Sequence, residues 1–392
     1  MPTWATRAIA LALAVWTAAA AAPWPNPNHD LHNSNFLLNL SSDPGSFTRK
    51  CWFSAGSNKY PALMTEQLAI VQNPYPIAVD LSHCGTVWEW PSSHLLGLSG
   101  DGSVMFTVDS PNRDLYVVAR DLNTGNALWN VTCIRDKFFS HEPVVLVTDT
   151  TMFMYVQDQQ QNGVMLQQWK VGNGGRSTPL LLASVKLEQY ATSIAVVTDG
   201  NLLLFGSETM ESLPVLAAQI DQKSITLPLA FGERFLALSW SEVHQMAFIG
   251  TSRTLSHGAV YAVRIGNPLK FYPGWTANIW DCQSFVVMVD RVIAACYVEG
   301  QGDATVHSLD ILSGVEQWKV TVQPPTGSRG VRIVGSATAL WVISNPASYV
   351  LDPNTGNPLE RGIPSLALLM APGSNCFLSG FFCDGCSPTT QV

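Results

Sequence analysis

Asp121-Leu-Asn-Thr124-Gly125-Asn-Ala-Leu-Trp129 decides how this chain folds, because it returns as Asp310-Ile-Leu-Ser313-Gly314-Val-Glu-Gln-Trp318 and as Asp352-Pro-Asn-Thr355-Gly356-Asn-Pro-Leu-Glu360. A looser copy is Asp80-Leu-Ser-His-Cys-Gly85-Thr-Val-Trp88. Each position has a mechanical reason. An alternating apolar run such as Leu115-Tyr-Val-Val-Ala119 precedes the Asp and reads as a strand. The Asp carboxylate accepts backbone N–H bonds at the start of a tight turn, and the Thr-Gly pair makes the bend, with Gly free to take positive φ. Trp then arrives on the returning strand as a large apolar plug suited to burial against a neighbouring sheet.

Weaker units fill the intervals. Gly163-Val-Met-Leu-Gln-Gln-Trp169 keeps the end of the pattern and has lost the Asp. Asn201 to Gly206 leads into Ser212 with neither Asp nor Trp, and Gly258 to Gly266 precedes Trp275 with Arg264 in the Asp slot. Anchors near residues 80, 121, 160, 205, 262, 310 and 352 are spaced as propeller blades are. The text between them is β throughout, with no helical stripe over three turns. The expected fold is all-β: a single β-propeller of four-stranded antiparallel sheets, seven by this count, with eight also open. A β-sandwich pair would not explain a recurring Trp at fixed offset from Gly.

The Asp-x-x-Thr-Gly-x-x-x-Trp form resembles the tryptophan-docking repeat of the pyrroloquinoline-quinone (quinoprotein) superfamily, whose members are mostly seven- or eight-bladed propellers. That resemblance covers most of residues 60 to 380. It also implies a quinone on the propeller axis, held by a Trp floor, a disulfide between adjacent cysteines, a bound calcium and a catalytic Asp. No Cys-Cys pair occurs here, so none of those residues is carried over to a numbered position; the expected cofactor is none, and pyrroloquinoline quinone with calcium has no support in the sequence.

The amino terminus sets the compartment. Arg7, the apolar Ala8 to Val15 and the small run Ala18 to Ala22 form a signal-peptide pattern over 1–21, with cleavage after Ala20 or Ala21. A Pro/Asn-rich lead-in follows over 22–48, then the propeller over 49–380, in which Cys51-Trp52-Phe53 is the candidate ring-closing strand, and a polar tail over 381–392. Secretion without a stable membrane anchor is the expectation. In that compartment Cys51, Cys84, Cys133, Cys282, Cys296, Cys376, Cys383 and Cys386 are disulfide candidates, of undetermined pairing, and Asn39 and Asn130 open glycosylation sequons.

Only 13% of residues are charged, against a usual share of about 25%, and the net charge is −8. Such a chain cannot supply the basic footprint that nucleic acid needs. His29-Asp30-x-His32 lies in a loop-like stretch, His141-Glu142 lacks a second His, and Cys383-x-x-Cys386 reads as a structural pair. No nucleophile elbow, phosphate loop or dinucleotide fingerprint occurs. Trp24, Trp52, Trp90 and Trp240 fit no repeat slot and read as core or lead-in packing, with an exposed aromatic platform as the alternative. With no catalytic, cofactor or metal residues to assign, the sequence reads as a non-enzymatic binding or scaffold propeller for an extracellular protein, peptide or glycan. Its recognition surface is expected around Glu233, Arg234, Glu242, His244 and Arg253. The alternative is a secreted quinoprotein-type oxidoreductase, or another enzyme with a site on the axis. A degenerate family member serving only within a larger assembly is a third reading.

Overall fold

Short, near-continuous apolar strands joined by tight turns give sheets that are apolar on both faces, and such sheets are stable only when each face meets another sheet. The fold was read from a computed structural model, which describes most residues between Leu63 and Pro364; the connections 135–143, 188–190, 215–222, 227–232, 254–257, 265–269, 298–302 and 323–330 and some shorter stretches lie outside the described residues. The signal segment, the lead-in with Cys51 and Trp52, Asn39, Cys84, the motifs at His29 and His141, and the tail cysteines also lie outside them.

Among the described residues there are seven four-stranded antiparallel sheets, each built from four strands consecutive in sequence. Sheet I holds β1 (Leu63–Met64), β2 (Leu68–Gln72), β3 (Pro76–Asp80) and β4 (Thr86–Glu89). Sheet II holds β5 (Ser93–Leu98), β6 (Val104–Asp109), β7 (Leu115–Asp121) and β8 (Ala127–Ile134). Sheet III holds β9 (Val144–Val147), β10 (Thr151–Asp158), β11 (Gly163–Gly172) and β12 (Ser177–Leu187). Sheet IV holds β13 (Ala191–Thr198), β14 (Asn201–Gly206), β15 (Thr209–Pro214) and β16 (Lys223–Thr226). Sheet V holds β17 (Glu233–Ser241), β18 (Met246–Arg253), β19 (Val260–Arg264) and β20 (Lys270–Ala277). Sheet VI holds β21 (Cys282–Val287), β22 (Arg291–Tyr297), β23 (Ala304–Asp310) and β24 (Glu316–Val322). Sheet VII holds β25 (Val331–Gly335), β26 (Leu340–Ser344), β27 (Ala347–Leu351) and β28 (Pro358–Pro364).

The first strands of sheets II to VII lie side by side in chain order, β5 on β9, β9 on β13, β13 on β17, β17 on β21 and β21 on β25. That is the arrangement of a β-propeller, with first strands innermost and fourth strands outermost. The core lies between sheets. One cluster joins Phe248, Val260 and Trp275 of sheet V to Phe285, Val292 and Leu309 of sheet VI. Another joins Phe106, Val117 and Trp129 of sheet II to Met152 and Met154 of sheet III. The second strand β22 is covered on both faces, every residue after Arg291 being buried.

Two of the sequence expectations shift in detail. Gly163 and Trp169 open and nearly close β11, the third strand of sheet III, whereas Trp88, Trp129, Trp275 and Trp318 stand on fourth strands. The bend of sheet III that corresponds to Asp-x-x-Thr-Gly is Asn173-Gly174-Gly175, one strand later than the sequence alignment placed it. The physical reason is that the Asp had been lost there, so a Trp alone anchored the register.

Candidate functional site

The repeat builds one end of the molecule, where the first-to-second and third-to-fourth strand turns of each sheet emerge. In the sheet II turn, Asp121 Oδ1 accepts from Asn123 N, Thr124 N and Thr124 Oγ1, each at 3.1 Å, and Gly125 N donates to Asp121 O at 2.8 Å. Burial works to raise the Asp121 carboxyl, but the Arg176 guanidinium at 2.9 Å and the Thr124 bonds outweigh it and hold the group below the usual carboxylate range. In sheet VI, Ser313 takes the Thr role, its N and Oγ both 2.7 Å from Asp310 Oδ1, and those bonds lower the Asp310 carboxyl. In sheet VII, Asn354 N donates to Asp352 at 2.7 Å, and Thr355 Oγ1 accepts from Asn357 N. Sheet I keeps the bond from His83 N to Asp80 Oδ1 and the backbone closure of Asp80 N on Gly85 O.

Each complete turn is also the seat for an indole from the preceding sheet. Trp88 Nε1 donates to Leu122 O at 2.7 Å, Trp129 to Gly175 O at 2.7 Å, Trp275 to Ile311 O at 2.9 Å and Trp318 to Pro353 O at 3.2 Å. The acceptor is the residue after the Asp in three of the four. The turn Gly is required twice over. At Gly314 φ is +71° and an added Cβ would lie 2.9 Å from the Trp275 ring; at Gly356 φ is +71° and the gap to Trp318 is 2.6 Å.

A one-residue β-bulge precedes the Trp slot in sheets I, II, VI and VII. Ala78 pairs Trp88 while Val79 pairs Thr86, which leaves Val87 unpaired; Leu128, Gln317 and Leu359 are left over in the same way in sheets II, VI and VII. The extra residue turns outward and the Trp that follows it in sheets I, II and VI is re-aimed. This accounts for the exposure of Val87, Leu128 and Leu359.

The sheet I/II contact carries a further anchor that sequence reasoning missed. Arg120, fully buried just before Asp121, pairs with Asp109, reaches Thr107 Oγ1 and Gly125 O at 3.3 Å, and lies 3.7 Å over the Trp90 ring. Burial pulls its guanidinium below the ordinary value, against the opposing pull of Asp109. A single Arg ending the apolar run Val117-Val118-Ala119 was the available signal. Trp90 is thus packing, and Trp240 on β17 is buried.

Trp169 does not dock: its Nε1 donates to Gln167 Oε1 on its own strand at 3.2 Å. Fourth strands β12 and β16 contain no Trp, and Glu360 stands in the Trp slot of β28. In sheet I, Cys84 occupies the position that Gly125, Gly314 and Gly356 fill elsewhere, since Gly85 comes one place late.

At the turn end of sheets V and VI, four apolar side chains face solvent: Val243, Val289, Leu312 and Val315, at 70%, 54%, 60% and 64% exposure. The hairpins that carry the first two are tied by the 2.6 Å contact of His244 Nε2 with Val289 O, and Ile311 N donates to Asp290 O at 3.1 Å beside Leu312. Asp290, paired with Arg291, and Asp310 border them. Of the surface residues expected from sequence, only His244 lies here. Glu233 and Arg253 pair at the opposite end of β17 and β18, about 25 Å away by strand rise, with Arg234 beside them, and Glu242 is outside the described residues.

Asn130 is exposed on the outermost strand of sheet II, and Cys133 lies on the same strand. Cys282 and Cys296 form a disulfide across β21 and β22. On the innermost strand of sheet VII, Arg332 reaches solvent while surrounded by protein, and desolvation lowers its guanidinium.

No family model and no curated protein matches this chain. Solved structures do. A europium-containing methanol dehydrogenase aligns with TM-score 0.51 at 12% identity over 88% of this chain and 86% of that one. The Dos1 propeller aligns with TM-score 0.51 at 14% identity, covering 78% and 81%. A prolyl endopeptidase aligns with TM-score 0.50 at 10% identity, covering 80% and 49%. At these identities the likeness is one of fold, and the fold is a β-propeller.

Proposed function

We propose that this protein is a secreted, non-catalytic propeller of the quinoprotein-repeat type that binds an extracellular protein or peptide through the turn end of sheets V and VI. The observation that carries this reading is the grouping of Val243, Val289, Leu312 and Val315 on neighbouring turns. Single exposed apolar residues are ordinary, but several converging on a rigid frame mark an interaction surface. The bulge explains the exposed Val87, Leu128 and Leu359, and it explains none of these four. The frame is rigid because Trp275 and Trp318 lock sheets V, VI and VII together. Carboxylates at Asp290 and Asp310 favour a partner with basic residues beside its apolar anchor. The Cys282–Cys296 disulfide supports an oxidising compartment.

The test is crosslinking of the purified protein to components of culture medium and cell surfaces, followed by mass spectrometry. The partner should be lost from a Val289→Asp/Leu312→Asp variant and kept by Leu180→Asp, which alters an exposed apolar residue on β12. Equal capture by both variants overturns the reading.

The rival reading, a quinone enzyme with an axial site, has one favouring feature in the solvent-accessible Arg332 of the innermost strand, a cation suited to an acidic ligand. The chain nonetheless does not fit the quinone site, which needs adjacent cysteines, and no reaction step is derived from it. Adding pyrroloquinoline quinone and calcium should leave absorbance and melting temperature unchanged; a saturable rise in melting temperature would restore the enzyme reading.

A further inference from the structure

Indole clamps divide the propeller unevenly. Sheets I, II and III are joined in series by Trp88 and Trp129, and sheets V, VI and VII by Trp275 and Trp318. Sheet IV lies between these two arcs, and neither β12 before it nor its own β16 carries a Trp to clamp it on either side.

A second observation converges on the same sheet. Among the described residues, two buried side-chain polar atoms have no hydrogen-bond partner, Gln168 Oε1 and Trp240 Nε1. Trp169 and its cross-strand partner Met152 belong to the cluster facing sheet II, so the adjacent Gln168, paired with Phe153, faces the other way, towards sheet IV. Met246 and Phe248 of β18 face sheet VI, so Ala247 and its partner Trp240 face sheet IV from the opposite side. The two orphaned atoms therefore line the two boundaries of the one sheet that lacks clamps. A buried polar atom without a partner penalises the closed state, and water satisfies it once the boundary opens; each shifts that equilibrium about five- to a hundredfold towards opening.

We infer that sheet IV is the gate of this propeller: it separates from its neighbours in a local opening while the two clamped arcs stay intact. In the closed form β13 contacts β9 on one side and β17 on the other, and opening uncovers the Gln168 and Trp240 faces.

Hydrogen exchange on the intact chain tests this. Strand β14 pairs on both sides, with β13 and β15, as β6 and β22 do in their own sheets, so the three compare like with like. Amides of β14 should exchange at least about tenfold faster than those of β6 and β22. Trp275→Phe, which removes one clamp bond, should accelerate β22 and leave β14 at its original rate. The proposal fails if β14 is as protected as β22, if β14 and β22 accelerate together in the variant, or if β22 does not respond to it.

Discussion

Sheets VI and IV have the same four-strand topology and opposite means of staying in place. Sheet VI receives the Trp275 indole in its turn, sends Trp318 into sheet VII, and is stitched internally by the Cys282–Cys296 disulfide. Its Gln283 and Ser284 also accept the N–H groups of Val331 and Ile333 on the next inner strand. Sheet IV has no indole to give and no Asp-Gly turn on which to receive one. The difference teaches that in this fold a sheet's identity comes from strand pairing, while the indole clamp is added to the apolar packing between sheets at some boundaries and not at others. Strand topology survives where the indole clamp is absent.

The comparison can be broken most forcefully at Trp275. Replacing it with Ala removes a fully buried indole and its bond to Ile311 O, and should cost about 3–5 kcal/mol, read as a fall in denaturant midpoint. Gly314→Ala comes next: its φ of +71° and the 2.9 Å approach to Trp275 should make it cost about 2–4 kcal/mol, while Gly85→Ala, whose Cβ would meet nothing within 4 Å, should fall within about 0.5 kcal/mol of the parent. Equal effects at these two glycines would refute the seat described above.

A pH experiment sharpens the comparison further. His307 of sheet VI is buried, 2.7 Å from Glu316 and 2.9 Å from Thr305, and burial outweighs Glu316 to push its pKa below the ordinary histidine value of about 6.5. The folded protein thus resists protonation that the unfolded chain accepts. The stability this group contributes is complete above about pH 6.5 and declines as pH falls through that value towards the lowered folded one. His307→Gln should flatten the slope of melting temperature against pH across that window, with Lys319, the other charge acting on the ring, left in place. The smallest effect is expected at Leu312→Asp, which should leave the melting temperature within about 0.5 kcal/mol equivalent while abolishing partner capture.

Much of this architecture was readable beforehand, because the turn chemistry is local. Asp310, Ser313 and Gly314 satisfy one another within five residues, so their spacing alone announces the bend. The docking role of Trp275 was not legible, because it stands eleven places past Arg264 instead of the eight that separate Asp from Trp in the full repeats. Sheet III was misregistered by a strand because Asn173-Gly174-Gly175 makes its bend without the Asp, and Trp169 offered a false anchor. The exposed group at Val243, Val289, Leu312 and Val315 is spread over some seventy positions and becomes one surface only when two sheets stand side by side. The orphaned atoms of Gln168 and Trp240 were invisible for a related reason: which face a side chain occupies depends on the partner strand.

Each of the four docked indoles reaches forward along the chain, from Trp88 to Leu122, from Trp129 to Gly175, from Trp275 to Ile311 and from Trp318 to Pro353. During synthesis, then, sheets I, II, V and VI each emerge before the turn that seats their indole, which follows thirty-four to forty-six residues later. A chain cut short before Pro353 would leave the Trp318 indole without its acceptor, and the last sheet to close is the one that completes it.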